Sequence, residues 1–176
     1  MQLLPISQSH HPALPFIQQL YEAAFPAPER RAWPQLLTML PDPGMQLSVI
    51  QEAEVPIGFV IAWPLQSWQY IEHLAIDPGQ RGRQYGSRLI QQLIESATGN
   101  LILEVEPPHH EMAARRIEFY RRAGFHTIPF PYQQPPYRAG EAPLPMQLMS
   151  LLPITDAAEF EKMAATIKTR VYEAWY

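Results

Sequence analysis

The chain has 176 residues, 47% hydrophobic and 17% charged, which excludes a disordered polymer and fits one domain able to close its own core. Thirteen Lys and Arg against 17 Asp and Glu leave a net charge of −4, which excludes nucleic acid as the main partner, because phosphate binding needs a basic surface. With no cysteine, disulfides, thiolate metal sites and a covalent cysteine mechanism are excluded together.

Residues 1–7 read as a first strand. Pro12 and Pro15 suit the opening turn of a helix, where a missing N–H costs little, and Leu14, Ile17, Leu20, Tyr21 and Ala24 continue it at helical spacing. A second helix is expected after Pro28, with Trp33, Leu36, Leu37 and Leu40 on one face. It stops at the breaker Pro41-Asp42-Pro43-Gly44. Residues 45–51 and 55–63 flank Glu52-Ala53-Glu54 as a hairpin, and 68–76 form a further strand. After Asp77-Pro78-Gly79 a helix runs over 86–97 with Leu89, Ile90, Leu93 and Ile94 inward. A strand over 101–106 and a helix over 111–123 follow, the latter closed by Gly124. Residues 125–130 and 146–152 form a last strand pair. The loop between them, Pro131-Tyr132-Gln133-Gln134-Pro135-Pro136-Tyr137-Arg138, is long enough to suspect a role. Residues 155–176 read as an amphipathic terminal helix, with Phe160, Met163, Ile167 and Val171 on one face.

The pattern implies a single mixed α/β domain over 1–176 built on a central sheet, with 155–176 as a helical extension. Twenty prolines, spread between elements, mark short rigid turns. No run approaches the ~20 apolar residues of a membrane span. Residues 1–5 lack a basic segment before an apolar one, so a cytoplasmic location with no membrane partner is expected.

The stretch richest in chemistry runs from the strand at Tyr70 into Arg81-Gly82-Arg83-Gln84-Tyr85-Gly86-Ser87 and directly into a helix. Small residues let successive backbone N–H groups share one concavity, the helix N-terminus adds partial positive charge, and Arg81 and Arg83 add cations. Together they make a pyrophosphate cradle. It is neither a Walker loop nor a dinucleotide fingerprint, since no Gly-Lys-Ser/Thr follows and only Gly82 and Gly86 are present. A charged turn capping a surface helix is the plainer alternative.

Four signals in order then set a resemblance: Leu74-Ala75-Ile76-Asp77-Pro78, the 81–87 loop, Leu103-Glu104-Val105, and Phe119-Tyr120 with Ala123-Gly124-Phe125. With them the chain resembles the GNAT superfamily of N-acetyltransferases. The resemblance is strongest over 68–130, and the terminal helix is extra to it. It implies a mostly antiparallel central sheet flanked by helices, and acetyl-CoA as co-substrate without metal. It also implies direct acetyl transfer to a primary amine of a small molecule or peptide. The cofactor-binding residues it implies are Leu74, Ala75, Ile76, Arg81, Gly82, Arg83, Gln84, Tyr85, Gly86 and Ser87. A homodimer is left open.

Two positions depart from the family. Gln84 stands where its loop has a glycine, which a negative φ on entering the helix would accommodate. Ala113 stands where the family often has an Asn that contacts the cofactor.

Tyr120, at the family's tyrosine position, is expected as the acid for the leaving thiolate, against a plain core tyrosine. Glu72 is expected as the base, through water, because alternation places it on one face with Tyr70, Leu74 and Ile76. Its structural alternative is an ion pair with Arg115 or Arg116. His73 faces the other way as a packed or surface residue. Glu104 and Glu106 share a face of the next strand and suit a cationic substrate or a substitute base. Glu104 is read first as an arginine partner and Glu106 as the more open of the two. Glu106 and Tyr137 are the expected acceptor-site residues. His10-His11 and His109-His110 read as solvated loop residues and not as metal ligands. Other readings remain: a catalytically weak CoA-binding regulatory or interaction module on the same fold, or a nucleotide-phosphate binder using the same cradle.

Overall fold

A computed structural model describes all of residues 1–176. Its strands are β1 (Gln2–Ile6), β2 (Gln46–Glu52), β3 (Val55–Leu65), β4 (Trp68–Ile76), β5 (Asn100–Val105), β6 (His126–Thr127), β7 (Tyr132–Gln134) and β8 (Leu144–Ser150). The helices are α1 (Leu14–Ala24), α2 (Trp33–Met39), α3 (Tyr85–Ser96), α4 (Glu111–Arg122) and α5 (Ala157–Ile167). The strands order as β1-β2-β3-β4-β5-β8-β6, with β7 on β8. The mixed α/β class and the mostly antiparallel sheet expected from the sequence are therefore present.

The chain divides into two compact units, Met1–Pro64 with Ile71–Ser96, and Leu65–Tyr70 with Ala97–Tyr176. In the first, β1 and β3 both pair antiparallel with β2. The β2–β3 turn puts Ala53 and Glu54 at φ 48° and 65°, the left-handed pair that a two-residue hairpin turn demands. Ile17 and Tyr21 of α1, Leu36 and Met39 of α2, and Leu47, Val49, Phe59 and Ile61 of the sheet are buried together in its core. Gly58 lies where β3 runs close to β4: a Cβ there would sit 2.4 Å from the Ala75 carbonyl oxygen.

In the second unit, β8 pairs antiparallel with β5, β6 and β7. Gly124 closes α4 at φ 98°, as the glycine there led one to expect. Three elements differ from the sequence reading. The strand expected over 125–130 shrinks to two residues, because Pro129 and Pro131 cannot donate to a ladder. The proline-rich loop instead carries β7. The terminal helix stops being α-helical at Ile167 and continues as a π turn over Lys168–Tyr172 and a 3-10 turn over Glu173–Trp175. Phe160, Met163, Ile167 and Val171 are all buried, as their spacing implies.

Candidate active site

The 81–87 loop leaves β4 through a short 3-10 turn, in which the Asp77 side chain accepts the Gly79 N–H at 2.9 Å. It then enters the left-handed region twice, at Gly82 (φ 79°) and Gln84 (φ 59°), before α3 begins. The sequence expectation of a negative φ at Gln84 is thus corrected: the backbone keeps the glycine-like conformation and Gln adopts it at a steric cost. The Arg88 N–H bonds to the Gln84 carbonyl at 3.0 Å, so Gln84 caps α3. The N–H groups of Tyr85, Gly86 and Ser87 then occupy the first turn, where a helix supplies them no acceptor. Arg81, Gly82, Arg83, Gln84 and Ser87 are exposed, Gly86 is half-buried and Tyr85 is buried. Neither Arg81 nor Arg83 forms an ion pair, whereas Arg88 pairs with Glu52 at 3.2 Å and lies over the Tyr85 ring. A Cβ on Gly82 would meet nothing within 4 Å. An open, doubly kinked loop with two exposed arginines at the N-terminus of α3 suits a phosphate-type anion.

On β4, Leu74 and Ile76 are half-buried and Ala75 is buried. Glu72 is neither half-exposed nor paired with Arg115 or Arg116. Its side chain is 1% exposed and pairs with the fully buried Arg31, Nη2 to Oε1, at 3.2 Å. The Trp63 indole N–H donates to its other oxygen at 2.6 Å. Arg31 sits in the proline-bounded segment after α1, where its backbone N–H donates to the Tyr21 hydroxyl at 2.9 Å. Burial chiefly, with the Glu72 charge next, drives the Tyr21 phenol far above its usual range. His73 is packed, as expected, its ring edge-to-face with Tyr21 and Phe25 and its Nε2 2.9 Å from the Glu29 carbonyl. Burial lowers its pKa, partly opposed by Glu72.

In the second unit, Tyr120 on α4 is buried, and its hydroxyl has no hydrogen-bond partner within the chain. Burial raises its pKa and nearby Arg116 opposes the rise. Ala113 is buried at the start of α4, and its N–H donates to the Nδ1 of His110 at 3.2 Å. His110 therefore caps α4 while its side chain stays 56% exposed, and the Ala13 N–H donates to the Nδ1 of His11 at 3.2 Å ahead of α1.

Glu104 lies on β5 and Glu106 just past its end, and the arginine expected beside Glu104 is found on Glu106. Glu106 is the arginine-paired one, 2.7 Å from Arg116 and 3.8 Å from His110. Glu104 is held by tyrosine hydroxyls, from Tyr132 and from Tyr172 at 3.2 Å. Tyr137 is buried with its ring centroid 5.0 Å from that of Tyr172. Sequence reasoning missed Arg31, Trp63 and Tyr172, and named Tyr132 only as part of the 131–138 loop. The only local signal is that a buried Trp or Tyr needs a partner for its polar tip.

The sequence pattern of the acetyltransferase (GNAT) family matches residues 14–125. A GNAT-family protein from Bacteroides thetaiotaomicron is 34% identical over 98% of both chains and superposes with a TM-score of 0.90. A spermidine N-acetyltransferase chimera containing the Vibrio cholerae enzyme superposes with a TM-score of 0.64 at 16% identity, over 86% of this chain and 96% of its own. An aminoglycoside 6′-N-acetyltransferase complexed with coenzyme A gives 0.55 at 16% identity, over 89% and 100%. At these identities the last two likenesses concern the fold alone. No curated protein sequence matches the chain.

Proposed function

The chain belongs to the GNAT acetyltransferase family, and we propose that it moves acetyl from acetyl-CoA directly to a primary amine of a small molecule or peptide. The observation that carries this reading is the 81–87 loop, which keeps two left-handed residues, open donors and two unpaired arginines where a pyrophosphate would lie. Leu74, Ala75 and Ile76 would flank the pantetheine arm. Acetyl-CoA, when bound, supplies an activated thioester.

An acceptor amine must lose a proton to become a nucleophile, since free alkylamines titrate near ~10.4. Glu72 is the proposed base. With its side chain 1% exposed it would act through a water relay and not by contact, while Arg31 and Trp63 fix its carboxylate. As the amine bonds to the acyl carbon and the C–S bond breaks, Tyr120 would hydrogen-bond the departing sulfur. Burial raises that phenol above 10, and a thiol titrates near ~8.5, so full proton transfer from Tyr120 runs uphill. Stabilising the thiolate by a hydrogen bond is the role its chemistry favours. Glu106 and Tyr137 are the proposed acceptor-site residues. Its fold neighbours include a spermidine N-acetyltransferase and an aminoglycoside 6′-N-acetyltransferase, which supports an amine acceptor.

The test is acetyl-CoA binding by calorimetry, followed by amine-dependent release of CoA thiol across an acceptor panel. Arg81→Ala with Arg83→Ala should weaken acetyl-CoA by about 1–3 kcal/mol, both side chains being exposed and the backbone donors remaining. Equal affinity in the double variant would place the cofactor elsewhere. Tight binding with no acceptor turned over would favour a CoA-binding regulatory module.

A further inference from the structure

A cleft of about 320 Å³ opens beside the segment that leads from β1 into α1. It is lined by Ser9, His10 and His11 ahead of α1, by Leu14 within it, and by Trp33 and Leu37 of α2. The segment is held in place from both sides. The His11 N–H donates to the Gln8 carbonyl at 3.3 Å, and the His11 carbonyl accepts the Leu14 N–H at 3.0 Å. The Ala13 N–H donates to the His11 Nδ1 at 3.2 Å, so that nitrogen presents its lone pair and the neutral ring carries its proton on Nε2.

Donors dominate this cleft. The Ser9 hydroxyl, the His11 Nε2–H and the Trp33 indole N–H form no hydrogen bond within the chain. Its ionisable side chains are both imidazoles, which can gain a positive charge and never a negative one. No carboxylate competes for these donors. The first turn of α1 has no acidic residue, and α2 has no charged residue at all. Glu22, the nearest along α1, already accepts from the Gln18 amide at 3.0 Å. Leu14 is buried and Trp33 and Leu37 are half-buried, so the same space also offers an apolar wall. Unpaired donors beside such a wall suit an anion with an apolar body and give the ammonium of an amine nothing to bond. The volume lies at the small end of ligand cavities, the size for a one-ring acid.

We propose that this cleft binds a small carboxylate with an apolar or aromatic body, whose oxygens take the Ser9, His11 and Trp33 donors while its body lies against Leu14 and Leu37. The site shares no residue with β4, the 81–87 loop or the proposed acceptor-site residues. It stands whether or not the acetyl-transfer reading does.

Proton–nitrogen correlation spectra of the full chain, titrated with sodium benzoate and separately with benzyl alcohol, test it. Benzoate should shift the Trp33 indole signal, assigned by its loss in Trp33→Phe, and saturate in the millimolar range, as so few heavy atoms allow. Benzyl alcohol keeps the ring and lacks the charge, and should bind at least tenfold more weakly. His11→Asn, whose carbonyl can still accept the Ala13 N–H, should weaken benzoate about tenfold, the scale of one lost charge-assisted hydrogen bond. Trp33→Phe, followed on the benzoate signals, should weaken it by about as much. Should His11→Asn fail to fold by circular dichroism, Trp33→Phe decides alone. His109→Asn, outside the cleft, should bind benzoate as the wild type does. The proposal is overturned if benzoate gives no saturable shift at tens of millimolar, or if the alcohol binds equally well. It is also overturned by full benzoate affinity in either folded variant, or by an equal loss in His109→Asn.

Discussion

His73 shows what burial does to a titratable side chain. Its folded pKa is lowered, chiefly by desolvation, below the 6.5 of a free imidazole. Between those two values the unfolded chain takes a proton that the folded chain refuses. Its contribution to stability is therefore complete above about pH 6.5 and falls as pH drops, by up to about 1.4 kcal/mol per unit. Urea midpoints from pH 7.5 to 5 should fall more steeply in the wild type than in His73→Gln, whose amide can still reach the Glu29 carbonyl. Parallel profiles would show that another group carries the slope. Tyr120 carries a kinetic expectation on the same scale. Its hydroxyl matters mainly once charge builds on sulfur, so Tyr120→Phe should lower kcat about ten- to hundredfold with little change in KM. Full kcat at saturating substrates would leave Tyr120 a core residue.

The 81–87 loop and β4 form the element on which the proposed cofactor site depends, and Gln84 is its strained point. At φ 59° a side chain with a Cβ costs on the order of 1 kcal/mol, which Gly relieves and a β-branched residue worsens. Glycine also loosens the unfolded chain, so Gln84→Gly should gain at most about 1 kcal/mol, and Gln84→Val should lose about 1 kcal/mol or more. Thermal unfolding of the two variants reads this difference. A Val variant as stable as the wild type would mean that the loop has another conformation in solution. Behind the loop, Gly58 leaves room for the Ala75 carbonyl, so β3 sets where the Leu74–Ile76 backbone runs.

At the scale of the whole molecule, one domain over 1–176 remains our proposal. The strand β4 gives Trp68–Tyr70 to one compact unit and Ile71–Ile76 to the other with no linker between them. Urea unfolding should therefore show one transition, coincident by tryptophan fluorescence and far-ultraviolet dichroism. Saturating acetyl-CoA should raise its midpoint, adding about 2.7 kcal/mol of stability at a hundredfold excess over Kd. Two separated transitions would make the units independent domains.

Local pattern was enough for much of this protein. Helical spacing marked α1 and α3, the break at Glu52-Ala53-Glu54 marked the β2–β3 hairpin, and Gly124 marked the end of α4, because each depends on residues a few positions apart. The order of Leu74–Pro78, the 81–87 loop, Leu103–Val105 and Phe119–Phe125 was enough for the family. The partners of charged groups were not legible. Arg31 reaches Glu72 from 41 positions away, and Tyr172 reaches Glu104 from 68. No sequence period links such residues; only the packing of separate elements brings them within 3.3 Å. Gln84 shows the same limit in the backbone. Its residue type argued for a negative φ, whereas the loop joining β4 to α3 holds it at φ 59°.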